Sequence, residues 1–321
     1  MLLPRNLPGG AAALTLASAS YLLIMVFLTG LRPEHWAIIL IFNILFYSGK
    51  GTRKFVLGFA IFILFAMLYD VMRAFPNYLY HTVDIAPLYH LEKQLFGIDT
   101  QFARLTPNEF FAANHNVLAD LMSGFFYINW MPVPLGFAVY LYFTNRKLFL
   151  HFSLTFLLVN LLGFTIYYIY PAAPPWYVSQ YGFILNLHAP GSAAGLARFD
   201  QLIHLNVFGS IYMKNSNVFA AIPSLHCAYP VIVLYFGIKA GCRRAKWLFG
   251  LFMIGIWFSA IYSGHHYTID VILGIFCAMT GIFFYEVVFM KQRIYKNFIN
   301  RYLRIIDRWL NPQSDARRKS I

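Results

Sequence analysis

LFLHFSLTFLLVNLLGFTIYYIY, residues 148–170, holds no Asp, Glu, Lys or Arg and is long enough to cross the hydrocarbon core of a bilayer as one helix. A helix satisfies its backbone groups internally, as a segment surrounded by lipid must. The same character recurs along the chain. About eight apolar stretches, complete or nearly so, cover 12–31, 35–49, 55–74, 117–144, 148–170, 223–240, 246–262 and 267–290. The second is short enough to be re-entrant. The fourth carries Pro132 and Pro134, which predict a kink within one long helix. The expected fold is all-α, a polytopic membrane helix bundle.

Composition agrees. Of 321 residues, 60% are hydrophobic and 19% aromatic, and the 12% that are charged are too few to cover a water-soluble surface. The net charge of +13 has its source in topology. With the N-terminus inside, the inner segments collect Arg5, then Lys50, Arg53 and Lys54, then Arg146 and Lys147. They continue with Lys239, Arg243, Arg244 and Lys246, and with every basic residue from Lys291 onward. Of the 25 Lys and Arg residues, only Arg32, Arg73, Lys93, Arg104, Arg198 and Lys214 fall on the other side. This bias predicts cytosolic termini and leaves no excess charge that asks for nucleic acid. The apolar run after Arg5 is too long for a secretory signal core and reads as an uncleaved anchor. Cys227, Cys242 and Cys277 suggest neither a disulfide framework nor a metal site. Three parts are expected: N-terminal membrane helices over 1–54, a membrane core over 55–290 and a basic amphipathic cytosolic tail over 291–321.

Two long segments interrupt the spans on the outer side. In 75–116, Pro87 and Gly97 bracket one short helix, and Thr106 with Glu109 forms a capping box that opens another. These pieces suit the membrane interface, lying flat as a lid. In 171–222, Pro171-Ala-Ala-Pro-Pro-Trp-Tyr177 ends the fifth span, with Trp176 and Tyr177 placed for an interfacial belt. From Lys291 to Leu310, basic residues alternate with Ile294, Phe298, Tyr302, Ile305 and Trp309 at helical spacing. Such a segment rests on an anionic leaflet or serves as a stop-transfer cluster.

Two clusters can carry chemistry, and the topology puts both at the outer surface. Pro223-Ser-Leu-His226 opens the sixth span. Pro223 suits a first helical position, and the amides that follow, with the helix dipole, favour an anion. Ser224 adds a donor and His226 an ionisable imidazole. Gly264-His-His-Tyr-Thr-Ile-Asp270 opens the last span. His266 and Asp270, four apart, share a helix face, so the carboxylate can accept one imidazole N–H and leave the other nitrogen as a lone pair facing an electrophile. His265 lies off that face and reads first as a hydrogen-bonded structural residue. A lone interfacial histidine or a capping Asp needs no function; two histidines and an Asp converging on one membrane surface are a functional candidate. Without further carboxylates they suit covalent phosphoryl transfer with no metal and no cofactor. One imidazole attacks phosphorus, and the other protonates the departing oxygen and later deprotonates the acceptor.

Pro223-Ser-Leu-His226 and His266-Tyr-Thr-Ile-Asp270 resemble the second and third signature motifs of the type-2 phosphatidic acid phosphatase superfamily. The third motif of that superfamily begins Ser-Arg; here Ser259 is present and Ala260 replaces the arginine. The first motif, a lysine ahead of an Arg-Pro pair, is missing, since Arg32-Pro33 has no such lysine. Phe75-Pro-Asn-Tyr78, Tyr170-Pro-Ala-Ala-Pro-Pro-Trp-Tyr177, Ala221-Ile-Pro-Ser-Leu-His226 and His265-His-Tyr267 resemble, across about 70–290, the aureobasidin-sensitive inositol phosphorylceramide synthases of fungi and their bacterial relatives. The resemblance implies a six-helix phosphatase core preceded by N-terminal helices. It also implies transfer of phosphoinositol from phosphatidylinositol to ceramide within the lipid bilayer, and it admits an accessory subunit. His266 would be the nucleophile, Asp270 its orienter and His226 the acid/base, on the periplasmic or lumenal side. Substrate contacts are expected from Ser224, His265 and Tyr267. Arg73 beside Asp70, with Lys214 as the weaker candidate, would replace the missing basic residues.

Two other readings remain open from the residues. Water in place of the alcohol would make the same site a lipid phosphatase. A transporter would relay protons through its His and Asp residues, but it predicts ionisable groups deep in several helices, and this chain keeps nearly all of them at the outer ends.

Overall fold

The computed structural model describes residues 8–214 and 217–307, with side chains from Leu14 onward. Arg5 and the tail from Arg308 onward, Trp309 and Leu310 included, lie outside these residues. The described chain is mostly helical; its one named sheet pairs Ile98–Asp99 with Arg104–Leu105. It divides into two compact units, residues 1–75 with 298–321, and 76–297.

The first unit contains α1 (Pro8–Leu28), α2 (Pro33–Ser48) and α3 (Lys50–Val71). α2 and α3 pack as a hairpin through Gly49, and the Arg53 guanidinium folds back to donate to the Phe46 carbonyl at 3.0 Å while lying over the Phe46 ring. At the other end of the hairpin, Asp70 receives Arg32 and His35.

The second unit carries α4 (Ala86–Phe96), α5 (Pro107–Ala113), α6 (Val117–Ile128), α7 (Pro132–Thr144), α8 (Arg146–Ile169) and α9 (Pro175–Tyr181). It continues with α10 (Ala197–Ile203), α11 (Val207–Tyr212), α12 (Leu225–Lys239), α13 (Ala245–Tyr262) and α14 (Thr268–Phe283). The unit boundary falls inside α15 (Arg293–Asp307). Among the described residues, four helices are long and apolar enough to cross a membrane: α3, α8, α13 and α14 with its continuation to Lys291. α6 and α7 make a fifth if taken together. The apolar stretches expected near 12–31 and 223–240 appear as shorter helices, Leu14–Leu28 and α12. The single kinked helix expected over 117–144 is two helices bent by 42°, because Pro132 starts α7 after a non-helical turn at Asn129–Met131.

The core of the second unit brings α12 against α13, α14 and α8. Two glycines set these distances. A Cβ on Gly163 would sit 2.6 Å from the Leu225 side chain, and one on Gly274 would sit 2.2 Å from the Ser224 carbonyl oxygen. α8 and α14 therefore touch the start of α12 almost backbone to side chain and backbone to backbone.

The connecting segments send polar and aromatic side chains into the core of the unit. α4 is capped by Gly97 and α5 opens with the capping box read from the sequence. There the Thr106 amide donates to Glu109 Oε2 at 2.8 Å, and the Glu109 amide donates to Thr106 Oγ1. Their buried polar side chains, Glu92 and Asn108, reach inward to the start of α14. Leu91 and Leu95 stay exposed on the outer side of α4. Trp176 and Tyr177 pack with Ile85 and Phe219 instead of facing an interface. The Pro-rich segment is held there by backbone bonds, Ala172 to Phe219 and Ala173 to Asp84, each 2.9 Å.

Candidate active site

Two chain turns meet to form the site. α13 ends at Tyr262, and Gly264 follows with φ of +73°, a left-handed conformation that costs glycine little. The turn is tied back on α13, for the amides of His265 and His266 both donate to the Ala260 carbonyl. α14 then begins at Thr268, with Tyr267 as its cap residue. His266 thus precedes the helix and does not share a helical face with Asp270. The pairing arises through the cap. Asp270, three residues into the cap, accepts the Tyr267 amide at 2.8 Å through Oδ2, and the same oxygen lies 3.4 Å from His266 Nδ1.

The second turn is Ile222-Pro-Ser224. α12 starts at Leu225 with Ser224 as its cap, so Pro223 lies just outside the helix instead of at its first position. The Tyr167 hydroxyl fixes the Pro223 carbonyl at 3.0 Å, and the Ser224 amide donates to the Asp270 carbonyl at 3.0 Å. That last bond joins the two turns directly.

Together they place His226 Nδ1 3.2 Å from His266 Nε2. With Asp270 accepting from His266 Nδ1–H, the tautomer assigned to His266 carries its lone pair on Nε2, and His226 Nδ1–H donates to it. The lone pair read from the sequence as open is therefore covered by the other histidine at rest. Burial holds the His266 imidazole down at about 4, so it is neutral at pH 7. Asp270 is fully buried.

Ser224 is fully buried, and its Oγ has no hydrogen-bond partner among the described residues. The amides of Leu225 and His226, at the first two positions of α12, have no carbonyl of their own helix to bond. At α14 the corresponding amides are taken. Glu92 Oε1 accepts Thr268 N at 2.8 Å and Oε2 accepts Ile269 N at 3.1 Å, from a carboxylate with no exposed surface. Burial pushes the Glu92 carboxyl up, and its bonds to Thr268 and Ile269 counter part of that. Asn108 completes the frame by donating to the carbonyls of His266 and Ile261 at 2.9 and 2.7 Å. Neither residue was visible as a site residue in the sequence, since nothing local links them to a turn so far along the chain.

The remaining candidates separate. His265 is turned into the protein, where its Nε2 meets the Ala193 carbonyl at 2.9 Å and its ring lies 4.2 Å from that of Tyr212. Burial and the neighbouring His266 hold it down at about 3. Tyr267 is buried at the α14 cap, and its hydroxyl has no partner among the described residues. Lys214 is exposed just beyond α11. Arg73 and Asp70 belong to the first unit, 3.9 Å apart, where Asp70 also holds Arg32 and, at 3.0 Å, His35.

Comparison with known proteins follows this geometry. Residues 87–284 match the family model of the PAP2 superfamily. The chain is 48% identical over 293 residues to the phosphoinositol dihydroceramide synthase of Bacteroides thetaiotaomicron, covering 90% of this chain and 95% of that protein. It is 29% identical to the inositol phosphorylceramide synthase catalytic subunit of Saccharomyces cerevisiae, over 78% of this chain and 62% of that one. It is 32% identical to the inositol phosphorylceramide synthase of Candida albicans, over 51% and 37%. No solved structure matches.

Proposed function

The chain belongs to the PAP2 superfamily, and on that premise we propose that it is a membrane phosphotransferase moving phosphoinositol from phosphatidylinositol to the primary hydroxyl of ceramide or dihydroceramide. The observation that carries the reading is the 3.2 Å approach of His226 Nδ1 to His266 Nε2, with Asp270 behind the second ring. The bacterial and fungal relatives, whose names state this chemistry, support the choice of substrates.

The lipid phosphate enters between the two imidazoles. His266 Nε2 attacks phosphorus as the bond to the diacylglycerol oxygen breaks, and His226, in its imidazolium form, gives a proton to that departing oxygen and is left neutral. Asp270 steadies the charge that develops on His266 through its Nδ1–H. In the second half, the ceramide hydroxyl gives its proton to His226, its oxygen bonds to phosphorus, and the P–N bond breaks to restore His266. Ser224 Oγ with the amides of Leu225 and His226 is the anion cradle in this scheme, because Glu92 already occupies the α14 amides. The bias of basic residues supports cytosolic termini and a site facing the periplasm or organelle lumen.

The test is a reaction of purified protein with headgroup-labelled phosphatidylinositol, with and without ceramide. Labelled phosphosphingolipid that appears only with ceramide, and is lost in His266→Ala, is the expected result. Label released as free phosphate, independent of ceramide, would overturn the reading.

A further inference from the structure

A phosphohistidine is open to water as well as to a lipid hydroxyl, and His226 would activate either nucleophile. Chemistry at the two histidines does not choose between them; access does. Excluding water is how a closed site prevents hydrolysis of a reactive intermediate.

The turn between α6 and α7 supplies a candidate for that exclusion. It interrupts a pair that would otherwise pass for one span, and it places Trp130 with its ring centroid 4.6 Å from that of His226, nearly perpendicular at 78°. Tyr127, fully buried one turn earlier, lies 5.3 Å away from His226 at a tilt of 30°. Trp130 is held in place. Its ring stacks on Tyr229 at 5.9 Å, the Tyr229 hydroxyl donates to Asn160 Oδ1, and the Trp130 amide donates to the Tyr127 carbonyl. A helix break in a membrane span leaves backbone groups to be satisfied elsewhere, so its presence beside His226 calls for a reason.

We infer that Trp130 is a specificity-determining residue that walls His226 against water, so that the intermediate is passed to a lipid hydroxyl and not hydrolysed. The inference rests on the phosphotransferase reading above. In the step it suppresses, water oxygen bonds to phosphorus, the P–N bond to His266 breaks, a proton passes to His226, and inositol phosphate leaves. Packing alone would account for a tryptophan here. A packing role slows both outcomes together, whereas a wall against water changes their ratio.

The experiment measures both products in one reaction. Full-length wild type, Trp130→Phe and Trp130→Ala are reconstituted in vesicles containing phosphatidylinositol and ceramide, and released inositol phosphate is compared with phosphosphingolipid. Because the two products come from the same folded molecules, their ratio does not depend on how much protein folds. Trp130→Ala is expected to raise hydrolysis over transfer by about tenfold or more, a change of ~1.4 kcal/mol between the competing barriers, with Trp130→Phe between it and wild type. An unchanged ratio in both variants overturns the inference. Wild type that releases inositol phosphate and makes no phosphosphingolipid would instead defeat the functional reading itself, and His266→Ala should make neither product.

Discussion

Gly274→Ala is the sharpest test of how the site is built. The added methyl would stand 2.2 Å from the Ser224 carbonyl oxygen and 3.1 Å from its carbon, both backbone atoms that no rotamer change can move. To reach ordinary van der Waals contact the starts of α12 and α14 must separate by more than about 1 Å, and strain of this kind costs ~1–3 kcal/mol. The separation acts on the backbone bond from Ser224 N to Asp270 O at 3.0 Å, and so on the 3.2 Å spacing between His226 and His266. A misplacement of about 1 Å costs on the order of 10²-fold in turnover. Gly136→Ala in α7 and Gly250→Ala in α13 are the controls, since a Cβ at either meets nothing within 4 Å. The assay is initial rate of ceramide-dependent transfer beside thermal unfolding in detergent. The expected pattern is a large loss of turnover in Gly274→Ala and near wild-type rates in the controls. Wild-type turnover in Gly274→Ala would show that the two turns are not coupled as described.

Other outcomes follow from the same geometry. Asp270→Asn keeps the size of the side chain but loses the acceptor that fixes the His266 tautomer, and should cut turnover by on the order of 10⁴-fold; an unaltered rate would remove Asp270 from the mechanism. Glu92→Ala leaves the Thr268 and Ile269 amides without their acceptor, which should lower stability by ~1–3 kcal/mol in an unfolding assay, with Glu92→Gln losing less. For pH, burial favours neutral His266, so the nucleophile stays unprotonated as pH falls through 6.5 and is lost only as pH nears about 4. An acid limb of the rate profile at or above 6.5 would contradict this. The same sign governs stability. Below 6.5 the unfolded chain takes up protons that buried His265 and His266 refuse, so folding weakens by about 1.4 kcal/mol per pH unit for each, until their folded values are reached.

The sequence was legible where the signal is local. A run without charge sets a span, Thr106 and Glu109 set a cap, and Pro-Ser-Leu-His and His-Tyr-Thr-Ile-Asp each mark the opening of a helix, and all of these appear in the structure within two or three residues. Three features were not legible, each for a reason of range. Whether His266 lies on the helix depends on Tyr267, whose extended backbone makes it the cap and hands the Asp270 carboxylate to the turn. Glu92 caps a helix that begins at Thr268, a partnership no window of sequence contains. Trp176 and Tyr177 have the composition of an interfacial belt, but their segment is bonded to Asp84 and Phe219, and the bonds, not the residue type, decide their burial. At Arg73 too the missing information is one of range. Its neighbour Asp70 was visible, while Arg32 and His35, which claim the same carboxylate, come from a preceding helix and its cap.

Depth ties these features to the substrate. α8 runs for 24 residues, ~36 Å at 1.5 Å per residue, enough to pass the hydrocarbon core and enter the headgroup layer. Leu225, the first residue of α12, packs on Gly163, and Ile169 ends α8 six residues later. The histidine beside Leu225 therefore lies roughly 9 Å along the axis from the end of α8. A phosphate held beside the buried Ser224 needs donors supplied by the protein, which Ser224 and the α12 amides can provide. A membrane lipid can bring its phosphate or its hydroxyl there with its chains remaining among the apolar helices, so the short start of α12 suits a reaction between two lipids.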